Sequence, residues 1–479
     1  MKLRWRMREE RGAALIVALL VAFVVMMLST LIIDQAIHNT DAAGANRARL
    51  TSVSAAEAGL NYYYNYLGKT AISDLSTSAT TRTLGSDPGT SSFTATPTFY
   101  SDTAGTTVFA GTPSALNYPK AVKIVSVGTT NSGDERTMET FIELDPIYGG
   151  LQGAIVTDSN TSFDNNFTVN GNNGDDADIY ITSGDLSIPS GLETVRGNIY
   201  VKAGNAYVGT GLRLSGTLWA NGYVELDHPQ ADVGGDAKSS TSSVTVTSGT
   251  VQGDAYYCTG SAPANVDGDE FNECDAAPPV STFPQIPYTE AAWVAQGYTV
   301  QTFSGASACT AARNYVEGSG AGTFQGGAGV ADPFTGVVVR ITESCTYSNS
   351  NNKTITLGKN LAIVTNGGVS LGTRSNWNGS GGTKNLYFMS PWPSTGSPSC
   401  PAQDISMGQL TSFNSSVWTF VYTPCKATML NNNSAFQGQV IGVTTEIGNL
   451  FTMNYKPILV PGAKIVGFDQ DIAYIREVQ

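Results

Sequence analysis

The sequence predicts a mainly β protein with one long α-helix at its N-terminus. Charged residues make up only 14% of the 479 residues, and 52 residues are glycine. An ordinary soluble domain has roughly 25% charged residues. A surface rich in Gly, Ser, Thr and Asn suits strands and tight turns better than helices. The exception is an uncharged, apolar run over residues 13–33. A chain of this length is also expected to contain more than one domain.

The apolar run over residues 13–33 predicts a transmembrane segment. It would extend roughly 31 Å as a helix, which is enough to cross a bilayer. Five basic residues precede it, and the next one after it is Arg47. This asymmetry predicts a cytoplasmic basic leader, residues 1–12, with the bulk of the chain outside the cytoplasm. A cleaved secretory signal is the alternative, but its apolar core would be shorter, about 7–15 residues.

The helix is predicted to continue beyond the transmembrane segment to about residue 68. Apolar residues recur there at intervals of three and four, which is the spacing of one face of an amphipathic helix. The segment Arg11–Leu20 and the later alanine-rich stretch resemble PilX-type pilus assembly proteins, which are minor-pilin-like subunits of type IV pilus or related secretion systems. The alanine-rich stretch consists of Ala55, Ala56, Glu57, Ala58, Gly59 and Leu60.

The resemblance covers residues 8–67 and implies a processing step and a set of partners. A prepilin peptidase would cut between Gly12 and Ala13, and the new Ala13 amine would be methylated. The protein would lie in the bacterial inner membrane, or in a pilus or at the cell surface. Its partners would be the lipid bilayer and the helices of other pilin-like subunits.

One position departs from the family pattern. Major pilins carry a glutamate at the fifth residue after the cut, and this chain has Val17 there. A carboxylate at that depth in the membrane requires a partner, plausibly a neighbour's N-terminal amine. Val17 cannot form such a pair. The departure favours a minor or tip subunit over a bulk subunit.

Residues 84–146 predict a small antiparallel sheet of the kind that accompanies the helix in pilins. Two apolar runs, residues 121–127 and 137–144, are separated by a Gly- and Asn-containing loop, which is the pattern of a β-hairpin. An unrelated pair of hairpins ahead of the next domain is the alternative.

Residues 149–277 and 351–479 contain short apolar strands with Gly or Asn at their corners. This texture predicts a degenerate parallel β-solenoid in two parts, because corners need positive φ and inward aliphatic side chains stack from coil to coil. The alternative is one or more β-sandwiches, whose strands are usually longer and more evenly spaced. Residues 278–350 interrupt the pattern and predict an insertion with a short helix and disulfides.

The six cysteines all follow the membrane anchor, and none lies in a CxxC pair. An even number in this position predicts disulfides in an oxidising compartment. Free buried thiols are the alternative. The expected pairing joins neighbours in the sequence: Cys258–Cys274, Cys309–Cys345 and Cys400–Cys425.

Several kinds of chemistry are not favoured by the sequence. A net charge of −13 argues against a nucleic-acid partner, because such binding requires a basic surface. His38 and His228 lie far apart, so no metal site and no cofactor are predicted. A polysaccharide-active enzyme would use an acidic cluster such as Asp175, Asp176 and Asp178. No acid–base pairing can be identified, so solvated acidic turns are favoured and no enzymatic activity is expected.

The function predicted is therefore that of a non-enzymatic, pilus-like minor or tip subunit, or of a pilus assembly protein. It would display a β-rich extracellular domain for assembly or adhesion. The alternative is a membrane-anchored module outside any filament, which would bind a glycan or a host or cell surface through aromatic side chains. Core packing is the competing explanation for those side chains, which are Trp219, Tyr223, Trp377, Trp392 and Trp418.

Overall fold

The structure is a computed structural model that describes residues 6–85, 91–111, 113, 118–148, 151–163, 166–171, 177–278, 280, 282–318, 324, 335–430, 435–463 and 465–478. The chain forms two compact units. The first, here called the helix unit, comprises Met1–Pro113, Asn117–Pro146 and Gly467–Gln479. The second, here called the coil unit, comprises Ser114–Leu116 and Ile147–Val466. The fold is mainly β with one long N-terminal helix, as the composition predicts.

Helix α1 (Arg6–Leu67) dominates the helix unit. It ends where the apolar periodicity predicts and begins before the apolar run. A continuous helix of this length is about 93 Å long. Apolar side chains between Leu15 and Ile37 are exposed, and burial begins only near Ser52. A short 3-10 turn (Ile72–Asp74) follows the helix. The two halves of α1 therefore differ, because only the second half is packed within its own chain.

The helix unit also contains a small antiparallel sheet. Its first four strands are β1 (Thr80–Leu84), β2 (Ser91–Tyr100), β3 (Ala121–Thr129) and β4 (Glu135–Tyr148). They pair in sequence order, and β3 and β4 form the predicted hairpin. Alternate residues of β2 and β3, including Phe93, Ala95 and Ile124, are buried. This alternation is the pattern of a sheet with one face on a core.

The coil unit begins with a series of short strands that stack in parallel. Ile179, Ile199 and Leu218 lie at equivalent positions on three successive coils and are fully buried. The strands are β5 (Ile155–Thr157), β6 (Thr161–Ser162), β7 (Phe167–Asn170), β8 (Ile179–Ile181), β9 (Leu186–Ile188), β10 (Leu192–Val195), β11 (Ile199–Val201), β12 (Ala206–Val208), β13 (Gly211–Leu214), β14 (Leu218–Ala220), β15 (Val224–Val233), β16 (Ala237–Ser239), β17 (Val244–Val251), β18 (Ala255–Tyr257) and β19 (Glu270–Asn272).

The second half of the coil unit has the same parallel stacking but longer strands. Its elements are α2 (Glu290–Ala295), β20 (Tyr298–Phe303), α3 (Ala308–Glu317), β21 (Gly336–Ile341), β22 (Tyr347–Ser348), β23 (Thr354–Leu357), β24 (Asn360–Thr365), β25 (Val369–Ser370), β26 (Asn376–Gly379), β27 (Lys384–Met389), β28 (Ile405–Met407), β29 (Ser412–Phe413), β30 (Val417–Met429), β31 (Phe436–Ile447) and β32 (Phe451–Tyr455). All strand pairs of the coil unit within the described residues are parallel. Since β-sandwiches are built from antiparallel sheets, the sandwich alternative is wrong.

The chain enters and leaves the coil unit in the middle of the stack. Strand β5, the first of this unit, pairs in parallel with β31, and β7 pairs with β32. Strand β19 ends the first half and β20 begins the second, so they lie at opposite ends of one continuous series of strands. The final strand, β33 (Ile465–Val478), then joins the small sheet of the helix unit beside β4. The coil unit is therefore inserted between two neighbouring strands of that sheet.

Two predicted boundaries are wrong. The sequence predicts that residues 351–479 form the second part of the solenoid, but β33 belongs to the small sheet. Nothing local in its sequence distinguishes β33 from the coil strands, and only its long-range pairing assigns it to the small sheet. The sequence predicts an insertion over residues 278–350, but β20 and β21 belong to coils of the stack.

Part of the range 278–350 does lie outside the coils. Residues 282–296, here called the strap, cover the outer side of the second half. Ile286 N–H donates to the Tyr422 hydroxyl at 3.0 Å, and Trp293 packs edge-on against Tyr387. Strands under the strap are buried on both sides, which explains continuous apolar runs such as residues 361–364.

A buried carboxylate ties the returning strand to the small sheet. Glu139 of β4 is only 7% exposed. One of its oxygens accepts hydrogen bonds from the Tyr474 hydroxyl and from Arg476 Nη2, both at 2.8 Å. Lys123 Nζ lies 3.6 Å from the other oxygen. Burial raises the pKa of Glu139, but these hydrogen bonds and positive charges together outweigh it, so its pKa is lowered from its ordinary value of 4.5.

Replacing Glu139 by glutamine is expected to destabilise the small sheet at neutral pH by about 1–3 kcal/mol, because charged hydrogen bonds are lost. A lowered pKa in the folded state means that ionised Glu139 stabilises the protein above the unfolded pKa. This stabilisation is lost as the pH falls through the folded pKa. The gap in unfolding free energy between wild type and Glu139→Gln should therefore narrow from pH 7 to pH 3. The exposed Glu143→Gln on the same strand is the control, and a constant gap for Glu139→Gln would contradict the assignment.

Candidate functional site

The alanine-rich stretch of α1 lies directly on the small sheet. Ala55, Ala56 and Gly59 are buried, whereas Glu57 is exposed. A Cβ added to Gly59 would come within 2.2 Å of Ser126 Oγ. The helix backbone therefore approaches the strands closely, and only residues with little or no side chain fit at this contact.

The sheet provides a matching small residue. A Cβ added to Gly128 of β3 would lie 2.0 Å from the Ser52 carbonyl oxygen and 2.4 Å from the Ala56 backbone nitrogen. Both atoms belong to the helix backbone. The close contact thus depends on small residues from both elements, and the sequence pattern identified only those of the helix.

Tyrosines attach the end of α1 to the chain that follows it. Tyr63 is 1% exposed, and its hydroxyl donates to the Ser78 carbonyl at 3.0 Å. The Tyr66 hydroxyl donates to the Asp74 carbonyl at 2.7 Å. The Arg82 guanidinium lies 4.5 Å from the centre of the Tyr62 ring. These contacts hold the packed half of the helix in one position on the sheet.

The first half of α1, unlike the packed second half, has an exposed apolar surface. Val17 is 62% exposed, and its apolar neighbours up to Ile37 are similarly uncovered. The hydroxyls of Ser29 and Thr30 donate to helix carbonyls at 2.8 Å, so they add little polarity to the surface. Gly12 and Ala13 lie within α1, and the side chain of Ala13 falls outside the described part of the structure.

The helix is long and apolar enough to cross a membrane. The first charged residue after the apolar run is Asp34, whose carboxylate lies 3.7 Å from His38 Nε2. An exposed apolar surface of this extent marks a site of interaction with a membrane or with other proteins. The first half of α1 is therefore the candidate site for anchoring and assembly.

The cysteines of the coil unit form three disulfides, and each joins neighbours in the sequence. The bonds are Cys258–Cys274, Cys309–Cys345 and Cys400–Cys425. The first links the two flanks of β19, which is the last strand of the first half. The second attaches α3 to the chain after β21, close to the opposite end of the stack. Ends of a stack have no further coil to cover them, and these two bonds restrain them.

The acidic turn considered for catalysis contains a structural residue. Asp175 and Asp176 lie outside the described residues. Asp178 accepts hydrogen bonds from the backbone N–H and side-chain amide of Asn198, at 2.7 and 2.9 Å, and from the Tyr180 hydroxyl at 3.0 Å. Asn198 in turn accepts from the Thr217 N–H at 2.8 Å.

These polar residues form a ladder at one corner of the coils. Each stands one residue before a strand, and this spacing is the sequence signal that could have identified them. Their oxygens are engaged by the next coil, which favours a role in holding coils together. Among the described residues, no group of three or more His, Cys, Asp or Glu side chains is placed to hold a metal ion.

The aromatic residues considered for glycan binding do not form one surface. Trp377 is fully buried in the core of the coils. Trp392 packs against Phe283 of the strap, with ring centres 6.4 Å apart. Tyr223 is 37% exposed, and Trp418 lies beside Lys456. Trp377 and Trp392 are therefore packing residues.

Trp219 belongs to a column here called the aromatic ladder. The side chains of this ladder occupy the outward-facing centres of six strands that follow one another along the stack. Ring centres are 5.3 Å apart for Tyr180–Tyr200 and 4.8 Å apart for Tyr256–Phe271. The Lys238 ammonium lies 5.7 Å from the Trp219 ring and 4.1 Å from the Tyr256 ring. The members are Tyr180, Tyr200, Trp219, Lys238, Tyr256 and Phe271.

The aromatic ladder stabilises the stack rather than offering a flat platform to a ligand. Nearly parallel rings about 5 Å apart must overlap in an offset stack. The rings of these two stacked pairs occupy one another's faces. Trp219 lies beside Tyr200 at an interplanar angle of 57°, and Lys238 fills the position between Trp219 and Tyr256. A sugar that stacks on an aromatic face would have to displace these contacts.

No protein-family model matches the chain, and no curated protein matches it. Among solved structures, the chain is similar to competence-associated pilin ComZ from Thermus thermophilus, with 11% sequence identity and a TM-score of 0.28. The match covers 90% of this chain and 97% of that one.

Proposed function

We propose that the chain is a non-enzymatic, type IV pilin-like subunit of the minor or tip class that displays the coil unit outside the cytoplasm. The observation that supports this proposal is the division of α1. Its first half is apolar and exposed, and its second half is packed on a small antiparallel sheet through Ala55, Ala56 and Gly59. The first half would lie in the inner membrane and would later pack among the helices of other subunits.

The proposal includes processing between Gly12 and Ala13, as the resemblance to PilX-type proteins implies. Val17 fits a subunit that occupies a terminal position in the filament or is present in few copies. Such a subunit does not require the pairing made by a major pilin's glutamate. Disulfides such as Cys309–Cys345 fit exposure to an oxidising compartment. The insertion of the coil unit between β4 and β33 would present it for assembly or adhesion.

Processing can be tested by co-expressing the chain with a prepilin peptidase and measuring its intact mass. The expected product lacks residues 1–12 and carries one additional methyl group. Gly12→Leu is the matched control and should remain at full length. A wild-type chain that stays uncut under conditions in which a known prepilin is cut would count strongly against the proposal.

Mechanical shearing of cells distinguishes the proposal from its main alternative. A filament subunit should be recovered in the sheared fraction together with other pilins. A membrane-anchored binding module outside any filament should stay with the cell envelope.

A further inference from the structure

A polar groove lies on one side of the second half of the coil unit. Its volume is about 460 Å³, and it spans three coils, at strands β22, β25 and β28. Ser370 Oγ and Ser406 Oγ lie 3.3 Å apart within it. We call it the polar groove, after six polar residues among those that line it: Ser348, Ser370, Ser406, Asn351, Thr373 and Gln409.

The wall of the groove is built on a repeated, strained corner. Asn352, Arg374 and Leu410 have φ values of 55°, 57° and 58°. Such values are uncommon for residues other than glycine, and they persist only where the surroundings enforce them. The Asn352 N–H donates to the Thr373 carbonyl and the Arg374 N–H donates to the Gln409 carbonyl, both at 2.9 Å.

The three corners are therefore the same turn on three successive coils. Each strained residue directly follows a lining residue of the groove: Asn351, Thr373 or Gln409. A corner between two strands of a coil requires positive φ, so this conformation repeats from coil to coil. Here it places Asn351, Thr373 and Gln409 in a row, about 4.8 Å apart, which is the spacing of neighbouring strands. The Asn351 side-chain oxygen accepts a hydrogen bond from the Thr373 N–H at 2.8 Å.

The chemistry of the groove defines the kind of ligand. Among the described residues that line it, none is charged, and three are apolar: Leu371, Met407 and Leu430. The chain as a whole carries 65 charged side chains, 26 basic and 39 acidic. Anionic ligands are recognised by Arg and Lys, and calcium or magnesium ions are recognised largely by carboxylates. Apolar ligands require a mostly apolar lining. Hydroxyl and amide groups both donate and accept hydrogen bonds, so they suit a neutral, polyhydroxylated ligand.

We propose that the polar groove binds a neutral oligosaccharide. Three coils span about 10 Å between the outer strands, which accommodates a short linear chain of sugar rings. The paired hydroxyls of Ser370 and Ser406 would contact hydroxyls of the sugar, and the corner side chains would border it. The groove can bind in this way whether or not the chain enters a filament, so the proposal is independent of the pilin-like function.

The test uses the full-length chain in detergent on an array of neutral and acidic oligosaccharides, followed by titration with the tightest neutral one. Ser370→Tyr should fill the groove and weaken binding at least about tenfold, equivalent to 1.4 kcal/mol. Outward-facing strand centres elsewhere in the unit carry tyrosine, for example Tyr200 and Tyr207, so the variant is expected to fold. Ser187→Tyr, at the outward-facing centre of β9, is the matched control and should bind like wild type.

A second variant keeps the test independent of any effect of Ser370→Tyr on folding. Gln409 is exposed, so Gln409→Ala should leave the unfolding transition unchanged while it weakens binding. The proposal is overturned if no neutral oligosaccharide binds, if only acidic ones bind, or if both groove variants bind as tightly as Ser187→Tyr.

Discussion

Replacing Gly128 by alanine is expected to detach the second half of α1 from its sheet, at a cost of about 3 kcal/mol or more. The added methyl group would lie 2.0 Å from the Ser52 carbonyl oxygen and 2.4 Å from the Ala56 nitrogen. Both are helix backbone atoms and cannot rotate away. Alanine also removes the conformational cost of glycine in a strand, a gain of about 0.5–1 kcal/mol. The clash is larger, so destabilisation should prevail.

Hydrogen–deuterium exchange of the full-length chain in detergent measures this effect at the helix. Backbone amides of residues 52–67 should lose protection in Gly128→Ala, while those of the coil unit report on the rest of the fold. Gly44→Ala is the matched control, because a Cβ at Gly44 meets no atom within 4 Å. It should leave protection unchanged or increase it. Normal protection of residues 52–67 in Gly128→Ala would show that the helix does not pack as described.

Replacing Trp377 by alanine should destabilise the coil unit by about 3–5 kcal/mol, the usual range for removing a fully buried tryptophan. Its side chain is completely buried, and its ring lies edge-on to Phe388 with centres 5.4 Å apart. In the strand register it lies between Ile355 and Phe413 of the adjacent coils. Truncation would leave a cavity shared by three coils, and a rigid stack cannot close it fully.

Trp219→Ala is the informative comparison. Trp219 lies on the outside of the stack, where it donates to Ser240 Oγ at 2.8 Å and contacts Tyr200 and Lys238. Losing these contacts should cost only about 1–2 kcal/mol. Denaturant unfolding measures the loss of unfolding free energy in each variant. Hydrogen–deuterium exchange at residues 354–379 then shows whether the loss in Trp377→Ala lies in the coils around Trp377. Equal losses for the two variants would contradict the inward and outward placements.

Trp377→Phe separates ring packing from hydrogen bonding. The indole N–H of Trp377 has no hydrogen-bond partner among the described residues. Phenylalanine keeps most of the ring volume and removes this buried polar group. Its cost should therefore be well below that of Trp377→Ala.

The sequence alone was sufficient for features that depend on neighbouring residues. The length and apolar character of residues 13–33, with the threefold and fourfold spacing that follows, predicted helix α1 up to Leu67. Short strands bounded by glycine and asparagine predicted a mainly β remainder. Local strand pairing also predicted the β3–β4 hairpin, because a short loop leaves few alternatives. These elements follow from periodicity and turn chemistry within about twenty residues.

The path of the chain was decided only by the tertiary structure. Nothing within strands β5 and β33 specifies that β5 stacks on β31 or that β33 returns to the small sheet. Parallel pairing joins residues far apart in sequence, so its register depends on how whole coils fit together. The same reason explains why the sequence did not distinguish the buried Trp377 from the outward-facing Trp219. A strand of three or four residues shows that side chains alternate, but only the closed coil determines which side is the core.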